Sequence, residues 1–345
     1  MKKKTIIMIT IFVLLLAMIP IGLLLKPDQK SEPKQNDIPV NTKTLSEEKQ
    51  EEFLTKLTEM KEVGYRPTEM EAEIKKNISQ LDKEHSTKAI RELMTVIDES
   101  RFYFQGLLYF MGNELAYSQV VDKVDNPVQE ADKITNEFAK GFIKEVQRQH
   151  VNVTMGNSYY YFEPDAAYIL EQYGDYIHGD YKELINLMAK QQTDPIYDSE
   201  KEIYKLERIR EDLVYLENGK ERWMDGEYAE DFQSIEKELY EILFGTSHMT
   251  FYDITKENEG TDQEEWTYTL KKDVREQYED IISKYGDMSF AKELQEFLGL
   301  LKKNDYILNE DIKSFIEDLM EKKFGKTTES KDESPKTEET VESEK

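Results

Sequence analysis

The hydrophobic pattern starts with an unbroken apolar run, Thr5 to Leu25, reading TIIMITIFVLLLAMIPIGLLL behind Lys2, Lys3 and Lys4. Its 21 residues carry no charge. A helix of that length reaches about 31 Å, the thickness of a bilayer's hydrocarbon core. Pro20 and Gly22 fall near the far end, where a spanning helix tolerates them. A cleaved signal peptide has a shorter apolar core followed by small residues, whereas LLLKPDQ follows here. The run therefore predicts an uncleaved membrane anchor over 5–25, marked by Thr5, Leu14, Pro20 and Leu25. Three lysines precede it, and Lys26, Lys30 and Lys34 follow it. The flanks tie by count. The denser leading charge favours a cytoplasmic stub over 1–4 and export of everything beyond.

Past the anchor the pattern changes. Residues 26–44 spread Pro27, Pro33 and Pro39 among polar residues, the composition of a disordered spacer. From 45 the apolar positions take up helical spacing. Phe53, Leu54, Leu57 and Met60 share one face, and Met70, Ile74, Ile78 and Leu81 share another. Gly64-Tyr65-Arg66-Pro67 separates them, and Thr68 with Glu71 has the spacing of a capping box. A third helix is expected over 86–98. The stretch Phe102 to Tyr117 is apolar on nearly all sides and predicts a central buried helix. Residues 128–150 are amphipathic. Residues 151–165, VNVTMGNSYYYFEPD, lose the helical period, so a loop or short strand and a sub-boundary are expected there. Helical spacing returns at 166–177, 181–191, 199–216, 228–243, 271–284, 289–302 and 309–324. Between them, 250–270 places Phe251, Tyr252 and Ile254 against Trp266, Tyr268 and Leu270, a candidate β-hairpin. The tail 326–345 has one apolar residue, Val341, and reads as disordered and acidic. Tyr173-Gly174-Asp175 before Lys182-Glu183-Leu184 is echoed by Tyr285-Gly286-Asp287 before Lys292-Glu293-Leu294, a hint of repeated helical hairpins.

The fold class this predicts is mostly α. A body of helical hairpins over 45–325, with one small β-hairpin near 250–270, follows a single N-terminal transmembrane helix.

Charge narrows the partners. The chain has 46 basic and 72 acidic residues, a net charge of −26, which repels phosphate backbones and disfavours nucleic acid. Cysteine is absent, which removes disulfides and thiolate chemistry. Such usage fits an exported protein of a Gram-positive bacterium.

Catalytic and metal patterns then fail one by one. The four histidines, His85, His150, His178 and His248, include no pair at i, i+4 spacing, so no histidine zinc site is indicated. Taking Gly260 as position 6 of a calcium loop puts Thr255 and Trp266 where carboxylates belong. No phosphate loop or G-x-S-x-G is present, and no cofactor or metal is implied. The aromatic residues are more informative. Among 21 tyrosines, the run Tyr159-Tyr160-Tyr161 with Phe162 is the one least explained by a helix stripe. It is the first candidate for gripping a ligand. The expected function is a membrane-anchored, extracytoplasmic binding or assembly protein of the cell envelope with a protein or cell-wall partner. The alternative is a carboxylate-dependent hydrolase acting on envelope glycan.

Overall fold

The computed structural model describes residues 43–110, 131–156, 159–198, 201, 203–245, 249–257 and 265–325. The predicted anchor with Thr5, Leu14, Pro20 and Leu25, nearly all of the spacer, the tail, His248 and Gly260 lie outside the described residues. Among the described residues no helix is long and apolar enough to cross a membrane. The described chain is mostly helical, with three small two-stranded sheets. It divides into two compact units, one ending at Pro195 and the other beginning at Ile196.

The first unit opens with α1 (Glu47–Glu62) and α2 (Pro67–Asn77), the expected hairpin. Phe53, Leu57 and Met60 of α1 and Met70 and Ile74 of α2 are buried, as their spacing requires. The start of α2 differs from expectation. Pro67 takes its first turn, where a missing N–H costs nothing. Glu69, not Glu71, supplies the carboxylate that accepts the Arg66 N–H at 2.9 Å. Thr68 instead donates its hydroxyl to Gln149 at 3.3 Å, and Glu71 turns inward.

The helix α3 (Lys83–Phe110) is one continuous element of 28 residues, where the sequence suggested a break near 98–102. No proline or glycine interrupts it before Gly106, and Arg101 reaches back to Asp98 at 2.5 Å, a pairing that favours continuing the turn. Of the stretch Phe102 to Tyr117, expected as a central buried helix, 111–117 lie outside the described residues, and 102–110 continue α3 instead of starting a helix of their own. Ile90, Leu93, Ile97 and Phe104 face inward, while Phe102 and Tyr103 are 58% and 50% exposed.

Asn136 caps α4 (Glu137–Arg148) by accepting the Phe138 and Ala139 N–H groups, each at 3.0 Å. This helix buries Phe142, Ile143 and Val146 and leaves Phe138 exposed. Then β1 (Val151–Gly156) pairs antiparallel with β2 (Tyr159–Pro164), Val151 opposite Pro164 and Val153 opposite Phe162. Of the loop or short strand expected over 151–165, the structure has strands, paired inside the first unit. Asp165 caps α5 (Ala166–Tyr173), and α6 (Gly179–Thr193) packs back on it.

The second unit begins with a two-residue pairing, β3 (Tyr197–Asp198) with β4 (Ile203–Tyr204), in place of the helical start expected at 199. Helices α7 (Leu206–Trp223) and α8 (Ala229–Leu243) follow. Next, β5 (Tyr252–Glu257) and β6 (Glu265–Leu270) form the hairpin expected at 250–270, with Tyr252 opposite Leu270. Three helices close the unit: α9 (Lys272–Tyr285), α10 (Ser289–Lys303) and α11 (Glu310–Phe324). Its core is aromatic. Phe244 and Phe297 meet edge to face at 5.2 Å, and Tyr278, fully buried, donates its hydroxyl to the Leu243 carbonyl.

Candidate functional site

Each unit gathers chemistry among its helices. In the second unit, α7, α8 and α11 leave a pocket of about 220 Å³. Cavities for drug-sized ligands run from about 300 to 1,000 Å³, so this one suits a single large side chain or ring.

Its apolar wall comes from Leu216, Trp223, Met224, Ala229, Phe232 and Phe324. The Trp223 and Phe232 rings stack at 4.2 Å with planes 7° apart. Gly219, one turn before Trp223, makes this possible. A Cβ there would lie 2.4 Å from the indole ring, so only glycine lets the ring lie flat on its own helix. Trp223 is 3% exposed, and among the described residues its buried Nε1 has no hydrogen-bond partner. An unpaired buried donor costs about 1–3 kcal/mol, a penalty that a ligand acceptor removes.

The polar side of the pocket is Lys220, Gln233, Glu236 and Lys323. Lys220 lies 3.2 Å from Glu236. Lys323 is held deeper by Glu293 at 3.0 Å and stands 4.2 Å over the Tyr240 ring. Tyr240 in turn donates to Glu293 at 2.6 Å, and burial followed by that carboxylate pushes its phenol well up. The lysines are thus balanced by the two glutamates, and the pocket offers no excess of either charge. Met224, 64% exposed, lies at its mouth.

In the first unit the centre is Glu71, 6% exposed in the middle of α2. Its carboxylate accepts from Tyr168 Oη at 2.6 Å, Tyr173 Oη at 2.9 Å and His150 Nε2 at 3.0 Å, and it pairs with Lys75 Nζ at 3.0 Å. The His150 ring stacks on Tyr168 at 4.2 Å. His150 itself has φ 58°, the left-handed turn that ends α4 and starts β1. Burial pushes the Glu71 carboxyl up, but His150, Tyr168 and Lys75 outweigh it and bring it down to about 2. Burial and the Glu71 charge push both phenols up. Asp165 moves the opposite way to Glu71, raised by burial although it caps Tyr168 N–H at 2.9 Å. A carboxylate saturated by four partners and ionised far below neutrality is a poor general acid or base. This cluster fastens α2, the α4–β1 junction and α5 to one another.

The tyrosines singled out in the sequence lie on β2, with Tyr159, Tyr160 and Tyr161 opposite Gly156, Met155 and Thr154. Phe162, grouped with them as a ligand residue, is 3% exposed and packs 6.4 Å from the Phe142 ring, so its place is in the core. His178 sits at the N-terminus of α6, where its backbone N–H donates to Thr87 Oγ1 at 3.1 Å. Sequence reasoning missed both centres. Trp223 was there to be weighed as one of only two tryptophans. Glu71 carried no signal of its own among so many acids.

No family model matches this chain, no curated protein matches its sequence, and no solved structure matches its fold.

Proposed function

We propose that this chain is a membrane-tethered binding or assembly protein of the bacterial cell envelope, and that its second unit takes a large apolar side chain of a protein partner into the Trp223–Phe232 pocket. In this reading the run 5–25 is the anchor, the spacer holds the helical body off the lipid, and Tyr159, Tyr160 and Tyr161 give the first unit an aromatic contact strand. The observation that carries the reading is the pocket itself: stacked rings, a volume near that of one side chain, balanced charge and an indole N–H without an acceptor. A partner segment that inserts its side chain and offers a backbone carbonyl to Trp223 satisfies all four. A glycan has less apolar surface to give such walls. The hydrolase alternative needs a protonated carboxyl beside substrate, and the saturated Glu71 cluster is a weak basis for one.

The chain's two tryptophans make the test direct. Replacing the half-exposed Trp266 by Phe leaves Trp223 as the only indole. N-acetyl amides of Leu, Met, Phe and Tyr, and N-acetylglucosamine oligomers, are then titrated separately while Trp223 emission is followed. Saturable shifts with the amides alone are expected. Shifts with the sugars alone would move the proposal to a cell-wall polymer, and silence with both would remove the pocket as a binding site.

A further inference from the structure

The His85 ring lies in the first turn of α3 with its side chain 4% exposed. Its Nδ1 is 2.9 Å from Asp82 Oδ1. That same oxygen already accepts the Glu84 and His85 backbone N–H groups, each at 3.0 Å. Gln50 fixes the aspartate from the other side, accepting the Asp82 N–H at 2.7 Å and donating to Oδ2 at 3.3 Å. A carboxylate only accepts, so Nδ1 carries the ring proton. In its neutral form the ring then presents Nε2 as a bare lone pair. It faces two further acceptors, Glu51 Oε1 at 3.3 Å and Glu47 Oε1 at 3.7 Å, from carboxylates one turn apart on α1. Among the described residues no donor is paired with Nε2. A buried imidazole acceptor aimed at two carboxylates calls for a cation between them.

We propose that His85 Nε2, Glu47 and Glu51 bind a divalent transition-metal ion of the zinc class, with Asp82 as the carboxylate that orients the histidine. Two ligands of a tetrahedral zinc at about 2.1 Å stand about 3.4 Å apart. The separations of 3.3 and 3.7 Å from Nε2 match that spacing; Glu47, Asp82 and His85 already offer ligand atoms within 4.8 Å of one another, and the exposed Glu51 carboxylate swings toward Glu47 as the ion enters. The hydrogen bond from Nδ1 to Asp82 is the carboxylate–histidine–metal relay that fixes tautomer and ring direction. The nitrogen ligand selects against calcium and magnesium, which prefer all-oxygen shells. Glu47 and Glu51 are 74% and 58% exposed, so an ion enters from solvent and water completes the shell. The competing cation is a proton on Nε2. Burial opposes it, but Asp82, Glu51 and Glu47 favour it and raise His85 overall. Metal binding therefore strengthens as pH rises. Testing only for histidine pairs and calcium loops could not reveal this site, because its parts come from two helices.

The test uses the full chain in detergent with its four histidines labelled with nitrogen-15, titrated with zinc chloride in excess magnesium chloride. One saturable site is expected, with the ring shift confined to His85 Nε2. The double variant Glu47→Gln, Glu51→Gln should bind at least about tenfold more weakly, a loss seen even for outer-shell residues. Both positions are exposed, so that variant keeps the fold. Equal affinity in the variant, or zinc uptake without a His85 shift, would reduce the binding to scattered surface acids. A ring protonated on both nitrogens and indifferent to zinc would make the proton the occupant. No zinc uptake at all would also overturn the proposal.

Discussion

The two units repeat one order of elements and fill it differently. Each runs from a helix into a hairpin of six-residue strands, then a helix, a glycine-containing turn and a helix of 15 residues. Each closes its hairpin in the same way. The N–H of Asp165 reaches the His150 carbonyl at 2.8 Å, and that of Lys271 reaches the Phe251 carbonyl at 3.0 Å. Where the first unit has His150 and, three residues after its cap, Tyr168, the second has Phe251 and Val274, both buried. The repeated Tyr-Gly-Asp and Lys-Glu-Leu motifs fall in the turn and the 15-residue helix of each. In both turns the lysine reaches back to a carbonyl, Lys182 to Gly174 at 2.6 Å and Lys292 to Asp287 at 2.7 Å. One backbone plan is thus satisfied in one case by a hydrogen-bonded carboxylate and in the other by packed rings. The lesson is energetic. An apolar centre is insensitive to pH, whereas a polar centre is only as good as the protonation state of its acceptor.

The contrast can be broken from either side, and the tryptophans help, since both lie in the second unit. The largest effect is expected from Phe297→Ala, which empties a fully buried ring site between Phe244 and Tyr278. It should cost about 3–5 kcal/mol, read as an earlier denaturation midpoint by tryptophan emission. Glu71→Ala comes next. It strands the Tyr168, Tyr173 and His150 donors, at a cost of about 3 kcal/mol. The loss should appear in the helical signal by circular dichroism while tryptophan emission still reports a native second unit.

Acid titration sharpens the same contrast. Glu71 is lowered from 4.5 to about 2, so its contribution, about 3 kcal/mol, is complete above pH 4.5. It is lost as pH falls from there through about 2. A first unit that loses stability over this window in the parent chain, and loses clearly less in Glu71→Ala, is the expected pair of results, since Glu73 and Asp82 are also held low by their partners. Tyr173→Phe removes one of the donors to the carboxylate and should cost about 2 kcal/mol. The smallest stability change is expected from Gly219→Ala. Its helix propensity gain, about 1 kcal/mol, is opposed by the collision with Trp223. In a Trp266→Phe background the emission should shift to the red as the indole leaves its seat. An unchanged spectrum would mean that the indole does not depend on that glycine.

Periodicity made the helices legible. The hairpin at 250–270 and the last three helices appear within a residue or two of their expected bounds, because their apolar positions recur cleanly. What failed had a physical reason in each case. Thr68 and Glu71 have capping-box spacing, yet the helix starts two residues early, at Pro67, and leaves Glu71 facing the core. Its partners lie 79, 97 and 102 residues further along the chain, a convergence that no local pattern encodes. Phe102 and Tyr103 suggested burial by composition, but a continuous helix has to turn some of its residues to solvent. The pocket depends on Gly219 and on two rings from different helices, and only the folded chain brings them together.

The central claim is that the Trp223–Phe232 pocket is where this protein takes hold of a partner. Its most direct test is a photo-activatable residue at Met224, on the pocket rim, in the full chain on intact cells. The comparison is with a chain that also carries Ala229→Phe, which fills the cavity without disturbing the buried core. We expect a discrete protein adduct that the filled pocket abolishes. An adduct of equal yield with the pocket filled, or none from either chain, would contradict the account.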